Sequence, residues 1–379
     1  MFDCIIVGAG PAGGTAAYHL AKRGHSVLVI EKAELPRYKP CGGGVSPEVQ
    51  QWFDFDFSPV ISAKVKGGCY TWNCRESLNV PFTDIEPFWM VRRDKFDNFL
   101  IEKAKEKGAI IQDKTKVFEI DFKGDRWELE TSNKPAMGRF LIAADGGKST
   151  LANLLGFKKR RHRLVGALEI EVMLDPAIKN ELYFEFGKVK GGYLWNFPKA
   201  DGYSMGIATF RGSKRYDFRQ LVADYGKSFD VETTNSQHWG HPIYVWDGNQ
   251  QLHTSNAILA GEAACVVDPF TLEGIRPAMF SGMKAAEAID SAIIGNPNAL
   301  ENYTQTMSEE WGKEMIWAKR LGELFYRFPK LSYQLLVKQP SMAKTMNKIF
   351  SGDLRYSQVA QRGINRLLEK VKPDFPFGG

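Results

Sequence analysis

The chain has 379 residues, 44% of them hydrophobic and 25% charged, with a formal net charge of +6. It is too long for one ordinary domain and too apolar for a disordered chain, so a globular protein with two interlocked cores is expected. The basic excess gathers in runs such as Lys158-Lys159-Arg160-Arg161. Such runs are usually solvated faces; without a nucleic-acid motif beside them they argue against nucleic acid and leave an anionic membrane surface or an acidic protein as the less common partners.

The five cysteines, Cys4, Cys41, Cys69, Cys74 and Cys265, are odd in number and lack C-x-x-C spacing, so neither a disulfide framework nor a metal site is expected. No apolar run approaches the ~20 residues needed to span a bilayer, and the first strand already begins at Cys4, which argues against a cleavable leader. A cytoplasmic location is expected, with any membrane association peripheral.

The first 31 residues read as strand, glycine turn, helix, strand and acid. An apolar run, Cys4 to Val7, enters Gly8-Ala9-Gly10-Pro11-Ala12-Gly13; a helical stretch spans Thr15 to Arg23; a second run, Val27 to Ile30, ends on Glu31. Gly8 suits the tight turn, Gly10 a close approach of backbone to pyrophosphate, and Gly13 close packing of helix on strand. The helix N-terminus offers free N–H groups to phosphate, and Glu31 suits a ribose diol. This context predicts a dinucleotide site.

After Lys32 comes a shaped loop, Tyr38-Lys39-Pro40-Cys41-Gly42-Gly43-Gly44-Val45, in which three glycines leave backbone N–H groups open to a planar ligand. Cys41 is either a reactive or proton-donating thiol or a small space-filler. Residues 60 to 91 read as short strands. An amphipathic helix then runs to about Lys107, with Asp94 as its N-cap and Arg93 either meeting a phosphate or lying on the surface. Lys116 to Thr131 reads as a hairpin, and Arg139 to Ala144 as a buried strand delivering Asp145-Gly146 to a second corner.

Val165–Met173, Glu181–Phe186, Gly192–Phe197 and Tyr203–Phe210 follow as four strands, which predicts a separate antiparallel sheet. Tyr193, Trp195 and Phe197 alternate and so share one face of a strand, as a ligand-facing aromatic wall or as an ordinary half-buried face. A further buried strand turns at Gly261-Glu262 toward Pro269 and the sequence Glu273-Gly274-Ile275, from which a helix runs to about Ile294. This acid and turn suit a ribityl chain and a flavin carbonyl. The remaining chain reads as helices.

Taken together these motifs resemble the para-hydroxybenzoate hydroxylase-type flavoprotein fold and, through Pro40-Cys41-Gly42-Gly43 and Tyr193-x-Trp195-x-Phe197-Pro198 with Gly206, the geranylgeranyl reductase family. The resemblance implies an α/β fold: a Rossmann-like FAD-binding domain (1–66, 92–156, 256–298) interleaved with an antiparallel-sheet substrate domain (67–91, 157–255) and a helical region (299–379). It implies FAD held by Gly8, Gly10, Pro11, Ala12, Gly13, Glu31, Lys32, Cys41, Gly42, Gly43, Gly44, Arg93, Asp145, Gly146, Gly261, Glu262, Pro269, Glu273, Gly274 and Ile275. The catalytic residues it implies are Cys41, Tyr193, Trp195 and Phe197. The expected reaction is saturation of C=C bonds in a hydrophobic isoprenoid chain, with electrons from NADPH or a ferredoxin-like donor; the alternative on the same fold is an aromatic hydroxylase using NAD(P)H and O2. Departures from the family pattern are Glu262 for an aspartate, Cys265 for a glycine, Ala152 for an arginine and Ala208 for a second glycine.

Overall fold

Short, wholly apolar runs form the sheet that carries the glycine turn. The computed structural model describes residues 1–83, 85–174, 181–210, 216–233 and 236–371; the rest of the expected substrate domain and the end of the expected helical region (372–379) lie outside it. Val27–Ile30 is buried at every position, as is the second half of Phe2–Val7. That is the pattern of strands covered on both faces. They pair in parallel with each other and continue to Ile110–Gln112 on one side and to Ala136–Ala143 and Ala257–Leu259 on the other. The helices Pro11–Lys22, Arg93–Glu106 and Ile275–Ile293 pack around this sheet. Val117–Phe122 and Trp127–Thr131 form the expected hairpin on its flank.

The second sheet has seven strands in the order His238–Trp246, His162–Met173, Gly202–Phe210, Gly192–Lys199, Glu181–Phe186, Gly67–Trp72 and Glu76–Pro81. All neighbours are antiparallel except Glu181–Phe186 with Gly67–Trp72. The stretch 67–91 therefore divides. Phe88–Val91 joins a three-stranded sheet with Gly44–Val45 and Ile61–Val65, which ties the Cys41 loop to the start of the helix Arg93–Glu106.

Register explains the aromatic alternation. Tyr193, Trp195 and Phe197 stand opposite Ala208, Gly206 and Ser204, so each large ring faces a small neighbour. One face of the sheet packs on the C-terminal helices, the other on Phe218–Gly226. Asp94 is not the N-cap of its helix: Arg92 holds that position, without a side-chain cap, because Phe88–Val91 runs almost directly into the first turn.

Candidate functional site

At the glycine turn the predicted residues do come together. A Cβ on Gly13 would lie 1.8 Å from the Gly8 carbonyl oxygen, so helix and turn touch through bare backbone. The helix Pro11–Lys22 has Gly10 at its N-cap with no side-chain cap, leaving first-turn N–H groups for an anion. Glu31 is buried and turned back on the turn, accepting from the Ala9 N–H at 2.9 Å and the Ala33 N–H at 3.0 Å. This open cradle beside a buried carboxylate fits the pyrophosphate and ribose of FAD.

Neighbouring residues divide differently from the sequence expectation. Lys32 is exposed, whereas Arg37 turns inward, 3.4 Å from Glu31 and 3.1 Å from Asp97, with its guanidinium beside Gly10. Arg93 is buried and bidentate to Asp97, both contacts at 2.7 Å, and also interacts with the Cys41 side chain. Its donors are largely taken, so Arg37 is the better-placed cation, and spacing along the chain could not distinguish the two.

The other corners are engaged by protein groups. Asp145 accepts from Ser149 and from the N–H groups of Thr150 and Leu151, capping the short helix Thr150–Leu154 beside Gly146. Gly261 packs on Ala12. Glu262 reaches the Tyr244 N–H at 3.0 Å and lies 3.8 Å from His241, which is 3.1 Å from Lys39. Burial pushes Glu262 up, but His241, Lys39 and the Tyr244 N–H outweigh it and hold its carboxyl below the usual value. Arg160, from the basic run, is no solvated charge: it donates to Gly147 O at 3.0 Å and Ala263 O at 2.9 Å, bridging two corners. Cys265 adopts a left-handed conformation at φ +55°, where a glycine would carry no strain.

Pro269, Glu273, Gly274 and Ile275 lead into the helix Ile275–Ile293, whose N-cap Gly274 offers no side-chain cap. Burial pushes the Glu273 carboxyl up to about 7 against the pull of Arg276, 3.1 Å away. One Glu273 oxygen and the Arg276 Nε have no partner among the described residues. Unmet buried polarity at a helix N-terminus fits a polar group of a bound cofactor.

The Cys41–Gly44 loop is held from behind. Lys199, 1% exposed, donates to Gly42 O at 2.6 Å and Val91 O at 2.9 Å. Beside it, burial pushes Glu169 up to about 7 and lowers Lys199, each against the attraction of the other. The Cys41 Sγ accepts the Gly43 N–H at 3.4 Å. The loop glycines are not simply open to a ligand: a Cβ on Gly42 would stand 2.7 Å from the Phe197 ring and 3.5 Å from Trp195 Nε1. Lys199, Glu169, Arg37 and His241 were all missed by sequence reasoning. Only Lys199 carried a signal, standing two residues after Phe197 on the same strand face.

From this loop the aromatic row continues inward. Phe197 and Trp195 are 6.2 Å apart between ring centroids, and Trp195 and Tyr193 are 6.3 Å apart. Tyr193 lines an apolar cleft between the seven-stranded sheet and the C-terminal helices, about 780 Å³ when the open solvent at its mouth is included. Its walls include Phe184, Phe186, Leu336, Met346, Ile349 and Phe350. The lining tyrosines spend their hydroxyls on protein acceptors: Tyr70 on Asn347, Tyr193 on Thr271 O and Tyr326 on Phe270 O. What remains for an occupant is hydrocarbon and ring surface.

The profile of the FAD binding domain family matches residues 1–309. The chain belongs to that family. This flavoprotein is 32% identical over 89% of its length to an uncharacterised protein of Methanosarcina barkeri, 87% of which is covered. It is 27% identical to a digeranylgeranylglycerophospholipid reductase of Methanococcus vannielii, over 86% of both chains. Among solved structures, a geranylgeranyl bacteriochlorophyll reductase-like protein from Thermoplasma acidophilum superposes with a TM-score of 0.77 at 24% identity, covering 92% of this chain and 91% of that one. The resemblance read from the sequence is borne out, and the cofactor of the fold is FAD.

Proposed function

We propose that the flavoprotein saturates C=C bonds of a geranylgeranyl-type chain carried on a lipid, pigment or quinone precursor or on a diphosphate. The observation that carries this reading is the aromatic row running from the Cys41–Gly42 loop into an apolar cavity. The reductase relatives support the same class of substrate.

Reduced FAD supplies the hydride when bound. An isolated alkene also needs a proton, and its addition leaves cationic character on the more substituted carbon. The Cys41 Sγ, poised by the Gly43 N–H and by Arg93, delivers that proton directly or through a water. Tyr193, Trp195 and Phe197 stabilise the developing charge with their ring faces, an interaction worth about 2 kcal/mol when desolvated. The cavity walls orient the chain and exclude water. Gly8 to Gly13, Glu31 and Arg37 would hold the adenosine and pyrophosphate end of FAD, and Gly261, Glu262 and Glu273 to Ile275 would hold its ribityl and ring end. Electrons come from NADPH or a ferredoxin-like protein, for which the basic surface offers a complement.

The test is anaerobic. Dithionite-reduced protein mixed with geranylgeranyl diphosphate or a digeranylgeranyl lipid is expected to regain oxidised-flavin absorbance while the prenyl product gains hydrogen by mass spectrometry. Oxygen uptake stimulated by an aromatic acid, with no prenyl reduction, would establish the hydroxylase alternative instead.

A further inference from the structure

The helices that close the cavity carry a second apolar face, pointing outward. Leu324 is 56% exposed, Phe328 49%, Leu331 53% and Leu335 58%, all within one corner of the chain. Single exposed apolar side chains are ordinary on a soluble protein, but four large ones gathered in so short a stretch are not. The same stretch supplies Leu321, Phe325, Leu336 and Val337 to the cavity wall. The exposed face and the cavity are thus separated by about one helix thickness, roughly 10 Å.

Cations outnumber carboxylates along this stretch. Residues 319–338 hold Lys319, Arg320, Arg327, Lys330 and Lys338 against the single carboxylate Glu323. Lys319 and Lys338 are paired with Asp247 and Glu76, and Glu323 with Arg163. Arg320, Arg327 and Lys330 have no ion-pair partner among the described residues; Arg320 lies over Trp317 and Arg327 over Phe328. Apolar side chains flanked by unpaired cations suit the boundary between acyl chains and anionic head groups. No helix among the described residues is long and apolar enough to cross a membrane, so the contact is with a surface.

We propose that the outward face of residues 324–335 docks on an anionic lipid bilayer, with Leu324, Phe328, Leu331 and Leu335 in the acyl boundary and Arg320, Arg327 and Lys330 on the head groups. The proposal rests on the isoprenoid reading of the cavity and extends it: docking sets the thin cavity wall against the phase in which a prenylated lipid dissolves. The chain of such a substrate then passes from bilayer to cavity without crossing water.

The experiment is flotation of the flavin-loaded protein with vesicles of phosphatidylcholine plus phosphatidylglycerol, compared with phosphatidylcholine alone. The wild type is expected to float with the anionic vesicles and less with the neutral ones, and added salt to weaken binding. Each basic residue at such a surface contributes roughly fivefold. Arg327→Glu with Lys330→Glu should therefore lower vesicle binding more than ~10-fold, and Leu331→Glu with Leu335→Glu, which puts carboxylates into the acyl boundary, should lower it as well. None of these four side chains lines the cavity, so both variants should keep wild-type flavin absorbance and wild-type reduction of geranylgeranyl diphosphate free in solution. Absence of flotation, or flotation unchanged in both variants, overturns the proposal. So does a dimer in light scattering that the Leu331→Glu, Leu335→Glu variant dissociates, since the patch would then bind a second copy. Flotation that obeys these expectations in a protein that reduces no prenyl substrate would leave the docking face standing and remove the proposed reaction.

Discussion

The cofactor corner at Gly8–Glu31 and the chamber behind Cys41 are built on opposite plans. In the corner every key group lies within one strand–turn–helix–strand unit, and the geometry is mostly backbone: Gly13 against the Gly8 carbonyl, free N–H groups at a helix start, and a carboxylate folded back on Ala9. In the chamber the partners are far apart along the chain. Lys199 reaches Gly42 across 157 residues, Tyr193 reaches Thr271 across 78, and Tyr70 reaches Asn347 across 277. Local backbone geometry recurs wherever the pattern recurs, whereas the chamber depends on particular side chains meeting. The corner is therefore the generic part of this flavoprotein, and the chamber is the part particular to this chain.

The largest separation between the regions should come from Cys41→Ala. Loss of a positioned proton donor costs about 10²–10⁴ in rate, so single-turnover alkene reduction by chemically reduced enzyme should fall by that factor while flavin content stays constant. Unchanged turnover would remove Cys41 from the mechanism. Next, a Cβ on Gly206 would meet the Trp195 ring at 2.3 Å. Overpacking of this kind costs about 1–3 kcal/mol, so Gly206→Val should lower the thermal midpoint and slow prenyl reduction without releasing flavin. Flavin loss in step with activity would show that chamber and corner are not separable.

A smaller effect is expected in the corner itself. Arg37→Ala removes the ion pair with Glu31 and the charge-assisted hydrogen bond to Asp97, the latter worth about 1.5–3 kcal/mol, and with them the cation beside Gly10, and should weaken FAD retention by about tenfold in equilibrium dialysis. Lys32→Ala, at an exposed side chain, should stay within about 0.5 kcal/mol of wild type. The reverse ranking would restore the residue first expected from sequence.

A further difference lies in the response to pH. Glu169 titrates at about 7 in the folded chain because of burial, against about 4.3 for an unperturbed glutamate. Between those values the folded chain holds the proton more tightly, so this group's contribution to stability is complete below about 4.3 and is lost as pH rises through about 7. Glu169→Gln should abolish that decline, and the thermal midpoint of the variant should gain on wild type across the interval. Glu273, also raised to about 7, and His19, lowered to about 4 by burial, titrate in both proteins and cancel in the difference, which then reports Glu169 together with its charge partner Lys199. A difference independent of pH would mean that the Glu169–Lys199 pair does not titrate in this interval.

Much of this arrangement was legible in the sequence. The apolar runs at Cys4–Val7 and Val27–Ile30 read as the strands on either side of a glycine turn and helix, and the glycines and Glu31 between and after them follow from what a pyrophosphate and a ribose require. The alternation of Tyr193, Trp195 and Phe197 placed three rings on one strand face, although it could not say that Ala208, Gly206 and Ser204 would make room for them. Local periodicity and turn chemistry carry such information because they depend on neighbours a few residues away. Tertiary structure alone decided that Arg37 and not Lys32 turns toward Glu31, that Arg93 is taken by Asp97, that Lys199 and Glu169 stand behind the Cys41 loop, and that the C-terminal helices roof an apolar cavity. Each of those outcomes depends on which charges are desolvated together and which side chains fill the same space. Spacing along a chain does not encode either quantity until the chain has folded.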